Sequence, residues 1–176
     1  MKKLIIALLA TAFIIPLSAS AEKAATLNVE EKIEINAPAS AVWSKIHSFG
    51  DMGAWHPAVK KTEIIEGKNN KPGAVRVLTL QDGGTIKEKL VAYKFKQKTF
   101  NYEIIEGVLP VSHYASTVTV SEVKDGKSLV TWKGNFQRKD TSEQPATGLG
   151  DEDAVKAITA VYKGGLENLK KISETK

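Results

Sequence analysis

The stretch Ile33-Glu34-Ile35-Asn36-Ala37-Pro38-Ala39-Ser40-Ala41-Val42-Trp43-Ser44-Lys45-Ile46-His47-Ser48-Phe49 decides the reading of this chain. Its first residues close an alternating run in which Val29, Glu31, Ile33 and Ile35 share one face while Glu30, Lys32 and Glu34 share the other. A period of two marks a strand buried on one side. Asn36 then offers an N-cap, Pro38 suits a first helical turn, and Val42, Trp43 and Ile46 form a helix stripe. Phe49 to Pro57 follows as a turn-rich aromatic segment with room for one short helical turn.

Downstream, strand-like runs cover Val59–Ile65, Ala74–Leu80, Thr85–Tyr93, Phe100–Glu106, Val111–Val123 and Ser128–Arg138. Asp82-Gly83-Gly84 and Asp125-Gly126 punctuate them as hairpin turns, because short Gly-containing links between alternating runs reverse the chain. Lys139 to Gly150 reads as a polar loop. Acidic Asp151, Glu152 and Asp153 then open a long helix, where negative charge meets the positive end of the helix dipole. Val155, Ile158, Tyr162, Leu166, Leu169 and Ile172 recur at helical spacing, so the helix lays a continuous apolar stripe on the sheet. Gly164-Gly165 interrupts it. Either the helix tolerates a weak point or a mild kink there, or its backbone must bend or leave space for a ligand.

These elements predict an α+β fold in one domain, residues 22–176. A curved antiparallel sheet of about seven strands, two short N-terminal helices and a long C-terminal helix enclose a cavity. Residues 1–21 are set apart from it. Lys2 and Lys3 precede the apolar run Leu4–Ile15, Pro16 breaks the run, and Ala19-Ser20-Ala21 is a small-residue cleavage site. The run is shorter than the roughly 20 residues that span a bilayer. The expectation is a cleaved signal peptide, a mature chain from Glu22 and a periplasmic location. The chain has no cysteine, so neither disulfides nor thiol catalysis are available to it.

The formal net charge is +5, of which Lys2 and Lys3 carry two units. Arg76 and Arg138 are the only arginines. Phosphate and nucleic-acid sites favour the planar arginine fork, so a nucleic-acid partner is not expected. Most lysines read as a solvated face, with an acidic protein partner as the functional alternative. Arg76 reads as an exposed strand residue, and Glu103 and Glu106 as solvated.

His47, His56 and His113 are the only histidines, and no two share a helix face at metal-ligand spacing. Neither a metal nor another cofactor is therefore expected. No serine sits in a nucleophile elbow and no Gly-rich loop has a nucleotide-binding context. His56, between Trp55 and Pro57, and His113, beside Tyr114, are the candidate acid–base residues, and with Tyr102 they would have to meet to act. A lone loop histidine more often caps backbone groups. Gly134 stands between Trp132 and Phe136 on one strand face. The gap it leaves is either a pocket floor or a place of close packing. The candidate ligand-lining set is Trp43, Trp55, His56, Tyr102, His113, Tyr114, Trp132, Gly134, Phe136 and Tyr162, which combines rings with a few polar groups as small-molecule sites do.

Four motifs carry a family resemblance: Ile35-Asn36-Ala37-Pro38-Ala39-Ser40-Ala41-Val42-Trp43, Trp55-His56-Pro57, Tyr102-Glu103-Ile104-Ile105-Glu106-Gly107, and Val161-Tyr162-Lys163-Gly164-Gly165-Leu166-Glu167-Asn168-Leu169. Through them the chain resembles the START-like, or SRPBCC, superfamily of helix-grip proteins, within it the polyketide cyclase/dehydrase-like group. With Leu109-Pro110-Val111-Ser112-His113-Tyr114 it looks similar to periplasmic accessory proteins of methanol oxidation, the MxaD type. The resemblance implies binding of a small apolar or aromatic molecule, or service to a periplasmic dehydrogenase or cytochrome. The alternative it implies is a cyclase or dehydratase using His56 or His113 in the cavity.

Overall fold

The computed structural model describes residues 24–175. The expected signal peptide, residues 1–21, lies outside them. The chain runs β1 (Leu27–Ile35), α1 (Ala39–Ile46), a 3-10 segment (Phe49–Ala54), β2 (Val59–Glu66), β3 (Val75–Leu80), β4 (Thr85–Lys94), β5 (Thr99–Gly107), β6 (Val111–Glu122), a 3-10 turn (Lys124–Gly126), β7 (Ser128–Arg138) and α2 (Asp151–Glu174). The seven strands form one antiparallel sheet in the order β1-β7-β6-β5-β4-β3-β2. Hairpins connect β2 through β7 in sequence. β1 pairs with β7, placing the first strand beside the last.

The period-two patterns hold in the sheet. Val130, Trp132, Gly134 and Phe136 of β7 are buried, as are Tyr114, Ser116, Val118 and Val120 of β6. Their face meets α2, whose Ala154, Ile158, Tyr162, Gly165, Leu166 and Leu169 are buried in turn. Asp153 accepts a hydrogen bond from the Gly150 N–H at 3.1 Å and closes the first turn of α2. At the other end Asn36 does not cap α1. Pro38 occupies that position, its carbonyl accepting from Ala41 and Val42, and the Asn36 N–H instead donates to Glu174 of α2 at 2.7 Å.

The strand pairing shifts register in β2, β4 and β6, and the shift in β6 positions two candidate residues. Ser112 pairs with Gln137 and Ala115 with Asn135, so His113 and Tyr114 together face the single residue Phe136. This bulge puts His113 at φ +50°, exposed, and turns Tyr114 into the core. β4 shifts register against β5 at Lys87/Glu88 and at Leu90/Ala92.

Arg76 is not exposed. It lies 2% accessible under the 3-10 segment, paired across the hairpin with Glu88, its Nε 2.6 Å from the carboxylate. It also donates to the Phe49 carbonyl, and its guanidinium lies 4.1 Å from the Phe49 ring centroid. Burial raises the Glu88 carboxyl pKa, and the guanidinium opposes the rise without cancelling it. The strand pattern places a charge inside here because two opposite charges occupy directly facing inward positions. Removing one charge of such a pair strands the other. Arg76→Met should cost about 3–5 kcal/mol, and Arg76→Met with Glu88→Met should recover more than half of it; urea denaturation of the two variants measures both.

Candidate functional site

At the centre of the grip, β5, β6, β7 and α2 bring five polar side chains together. Tyr102, Tyr114, Ser116, Trp132 and Tyr162 are all buried. Trp132 and Tyr162 stack at 4.4 Å between ring centroids, and Tyr114 stacks on Phe136 at 6.0 Å. The direction of the hydrogen bonds follows from counting protons. Ser116 Oγ donates to the Lys133 carbonyl at 2.9 Å, so it can only accept from Tyr162 at 3.0 Å. Tyr162, its proton used, accepts from Tyr114 at 2.5 Å, and Tyr114 accepts from Tyr102 at 3.3 Å. The Trp132 indole N–H donates to both Tyr102 and Ser116 at 3.0 Å. Every donor is used, and the chain of hydroxyls ends on one backbone carbonyl.

Burial raises the pKa of all three phenols, that of Tyr162 to about 12. None is an ionised base at neutral pH. Gly134 lies directly beneath the Tyr162 hydroxyl, and a Cβ there would collide with it. The gap between Trp132 and Phe136 is thus a place of close packing, filled by that hydroxyl.

His56 sits beside this cluster, its ring edge-on to Trp132. Its Nε2 bonds the Val161 carbonyl at 3.0 Å and its Nδ1 accepts from the Ala58 N–H at 3.2 Å. That pattern requires the neutral tautomer with its proton on Nε2. Burial lowers its pKa from the ordinary 6.5, against the Val161 bond that raises it. Gly165 makes the room: a Cβ there would lie 2.6 Å from His56 and 2.9 Å from Trp132. The space left at Gly165 is occupied by the protein's own rings, Gly164 faces open space, and α2 runs through both unbroken.

The remaining candidates divide. Trp55 packs against Trp132 and His56. Trp43 lies apart, among His47, Tyr93, Phe95 and Phe100. His113 is exposed, and its ring contacts the Ser112 hydroxyl. His56, His113 and Tyr102 share no hydrogen-bond partner, so the acid–base cluster that the enzyme reading needs does not assemble. Sequence reasoning missed Ser116, although its place two residues after Tyr114 on an inward face was available. Among the described residues no group of three or more metal-binding side chains converges, and no helix is long and apolar enough to cross a membrane.

Two hollows open on the sheet. One of about 650 Å³ lies on its outer face between Asn28, Glu30, Val91, Asn101, Lys133 and Asn135, a lining of mixed polarity. The other, about 510 Å³, lies where β5 turns into β6, and Ile104, Val108, Val111, His113 and Tyr114 line it. Tyr114 therefore belongs to both this groove and the buried hydroxyl chain.

Two outcomes test the cluster. Gly134→Ala and Tyr162→Phe should each destabilise by about 1–3 kcal/mol, the first by collision and the second by orphaning a donor. Together they should cost clearly less than their sum, because the phenylalanine vacates the methyl's space; a double-mutant cycle in urea reads the coupling. Separately, unfolding lets His56 take up a proton below pH 6.5 that the folded chain resists. Stability should therefore fall as pH drops from about 7 toward 5, by up to about 1.4 kcal/mol per unit, and His56→Gln should flatten that slope.

Similar proteins agree with this architecture. The protein XoxI from Bacillus cereus is 30% identical, with a TM-score of 0.71 over 82% of this chain and 94% of its own. An uncharacterised protein from Bacillus thuringiensis is 29% identical, with a TM-score of 0.74 over 85% of this chain and 100% of its own. MLP-like protein 423 of Arabidopsis thaliana is 29% identical over 121 residues, 64% of this chain and 76% of that protein. The model of the polyketide cyclase / dehydrase and lipid transport family matches residues 26–174, and the chain, a START-like helix-grip protein, belongs to that family.

Proposed function

We propose that this chain is an exported, non-catalytic binding protein that takes a small apolar or aromatic molecule carrying an oxygen acceptor. The observation that carries this reading is the double position of Tyr114. On one side it walls the groove at the β5–β6 end, and on the other it is the second hydroxyl of the buried chain. A rotation of that one ring would join the groove to the interior beside Tyr102, Phe136 and Tyr162. The phenol protons released from one another would then be free to meet a ligand oxygen. A purely apolar ligand would leave them unpaired, which is costly in such surroundings.

Catalysis is not part of the reading. His56 is held neutral with both nitrogens occupied, and the phenols stay protonated. Periplasmic location rests on the sequence of residues 1–21. Service to a methanol-oxidation type dehydrogenase or cytochrome rests on the MxaD-type resemblance, and the similarity to the protein named XoxI is in keeping with it.

Calorimetric titration with acetylnaphthalene and with ethylnaphthalene separates the possibilities. The ketone should bind at least about 10-fold more tightly, since only it can accept the freed phenol protons. Tyr114→Phe should erase that preference. Equal affinity for the two, or binding of neither, would remove the basis for the proposal.

A further inference from the structure

The opposite end of β5 holds a second aromatic assembly, built by the last turn of α1 and the β4–β5 hairpin. Trp43 is 3% exposed, with Tyr93, Phe95, Phe100 and His47 at 6.1 to 6.3 Å between ring centroids. Phe95 stands edge-on to His47 at 5.9 Å. Trp43 Nε1, His47 Nδ1 and the Tyr93 hydroxyl are buried there without a hydrogen-bond partner. Buried polar atoms are nearly always paired, so three orphans within one set of touching rings call for an explanation. The indole N–H and the phenol O–H are donors, and the imidazole nitrogen is one in the right tautomer. Together they match a group that only accepts.

The surface around them has matching features. Phe95 is 58% exposed at the hairpin tip, a large apolar ring set in water. Lys94 and Lys96 flank it and Lys98 closes the turn. Among the described residues none of these three lysines lies in an ion pair. An exposed ring surrounded by unpaired cations, over orphaned donors, is complementary to carboxylates arranged around an apolar residue.

We propose that this corner docks an acidic segment of a protein partner, with Phe95 as the apolar anchor. The lysines steer the segment, and one of its carboxylates reaches the donors of Trp43, Tyr93 and His47 as Phe95 swings aside. Phosphate groups are a poorer match because no arginine lies here. A lipid surface is a poorer match because the corner offers one protruding apolar side chain rather than an apolar face. The inference is independent of the small-molecule site at the other end of β5.

The test titrates full-length ¹⁵N-labelled protein with an N-acetylated Glu-Glu-Leu-Glu-Glu peptide. The Trp43 indole N–H signal, identified by its absence from Trp43→Phe, and the backbone amides of residues 94–98 should shift saturably. Added salt should weaken the binding. Phe95→Ala and Lys96→Glu should each weaken it about 5-fold or more, while Lys60→Ala on β2 should not. Phe95 is exposed, so its removal leaves the fold in place. Three results would overturn the proposal: shifts spread evenly over all lysine surfaces, benzoate binding as tightly as the peptide, or a response to phosphatidylglycerol vesicles with none to the peptide.

Discussion

The Tyr162 hydroxyl, set over the missing side chain of Gly134, is the contact on which the rest of this interior depends. It joins the one helix that crosses the sheet to the two strands under it, bonding Tyr114 and Ser116 while its ring lies on Trp132. A helix that packed only through aliphatic side chains would be free to slide along its own stripe at small cost, because apolar contact is non-directional. Directed hydrogen bonds in a dry interior do not allow that. Tyr162 therefore sets the register of α2, and with it the positions of Val161 against His56 and of Gly165 under the His56 and Trp132 rings.

The same arrangement ties up most of the buried titratable groups with one another or with backbone. An acid–base residue needs a free nitrogen or oxygen within reach of a substrate and a pKa near the working pH. His56 fails on the first, since two backbone groups occupy its nitrogens, and burial disfavours its charged form. Tyr102, Tyr114 and Tyr162 fail on the second, since burial raises theirs. The proposed role, recognition, asks for neither. On the proposed reading, hydroxyls that satisfy one another would satisfy a ligand oxygen instead and penalise a ligand that has none.

Periodicity and turn chemistry made the fold legible. The alternation around Ile33, the Gly-containing turns and the helical stripe from Val155 to Ile172 place every long element to within a few residues. Interior polarity was harder to read, for three different reasons. Arg76 looked exposed because a lone charge on a strand usually is, yet counting outward from the Asp82-Gly83-Gly84 turn puts it opposite Glu88, and two facing opposite charges are the signal of a buried pair. The outward turn of His113 depends on a bulge that no single residue announces, so alternation alone could not say which of His113 and Tyr114 faces inward. The hydroxyl chain unites residues from β5, β6, β7 and α2, and sequence spacing carries no information about side chains that meet only after the helix docks. Gly134 and Gly165 were the visible traces of that docking, each marking the place where a ring from another element lies against backbone.

An unbroken series of touching rings runs the length of the molecule, from Phe95 through Trp43, Phe100, Tyr102 and Tyr114 to Phe136. It links the lysine-rich corner to the groove at the β5–β6 end. Contact of this kind does not by itself transmit anything; an element with two arrangements, each favoured by one site, is what couples two sites. Tyr102 stands at the midpoint, and its hydroxyl is held from two sides, by Tyr114 and by Trp132. Phe100 beside it has no polar handle and is packed against both Trp43 and Phe49. When Tyr114 turns as proposed, the Trp132 bond still holds Tyr102 in place, and the corner touches Tyr114 only through Tyr102 and Phe100; the expectation from both proposals is that occupation of the corner leaves the affinity of the groove unchanged.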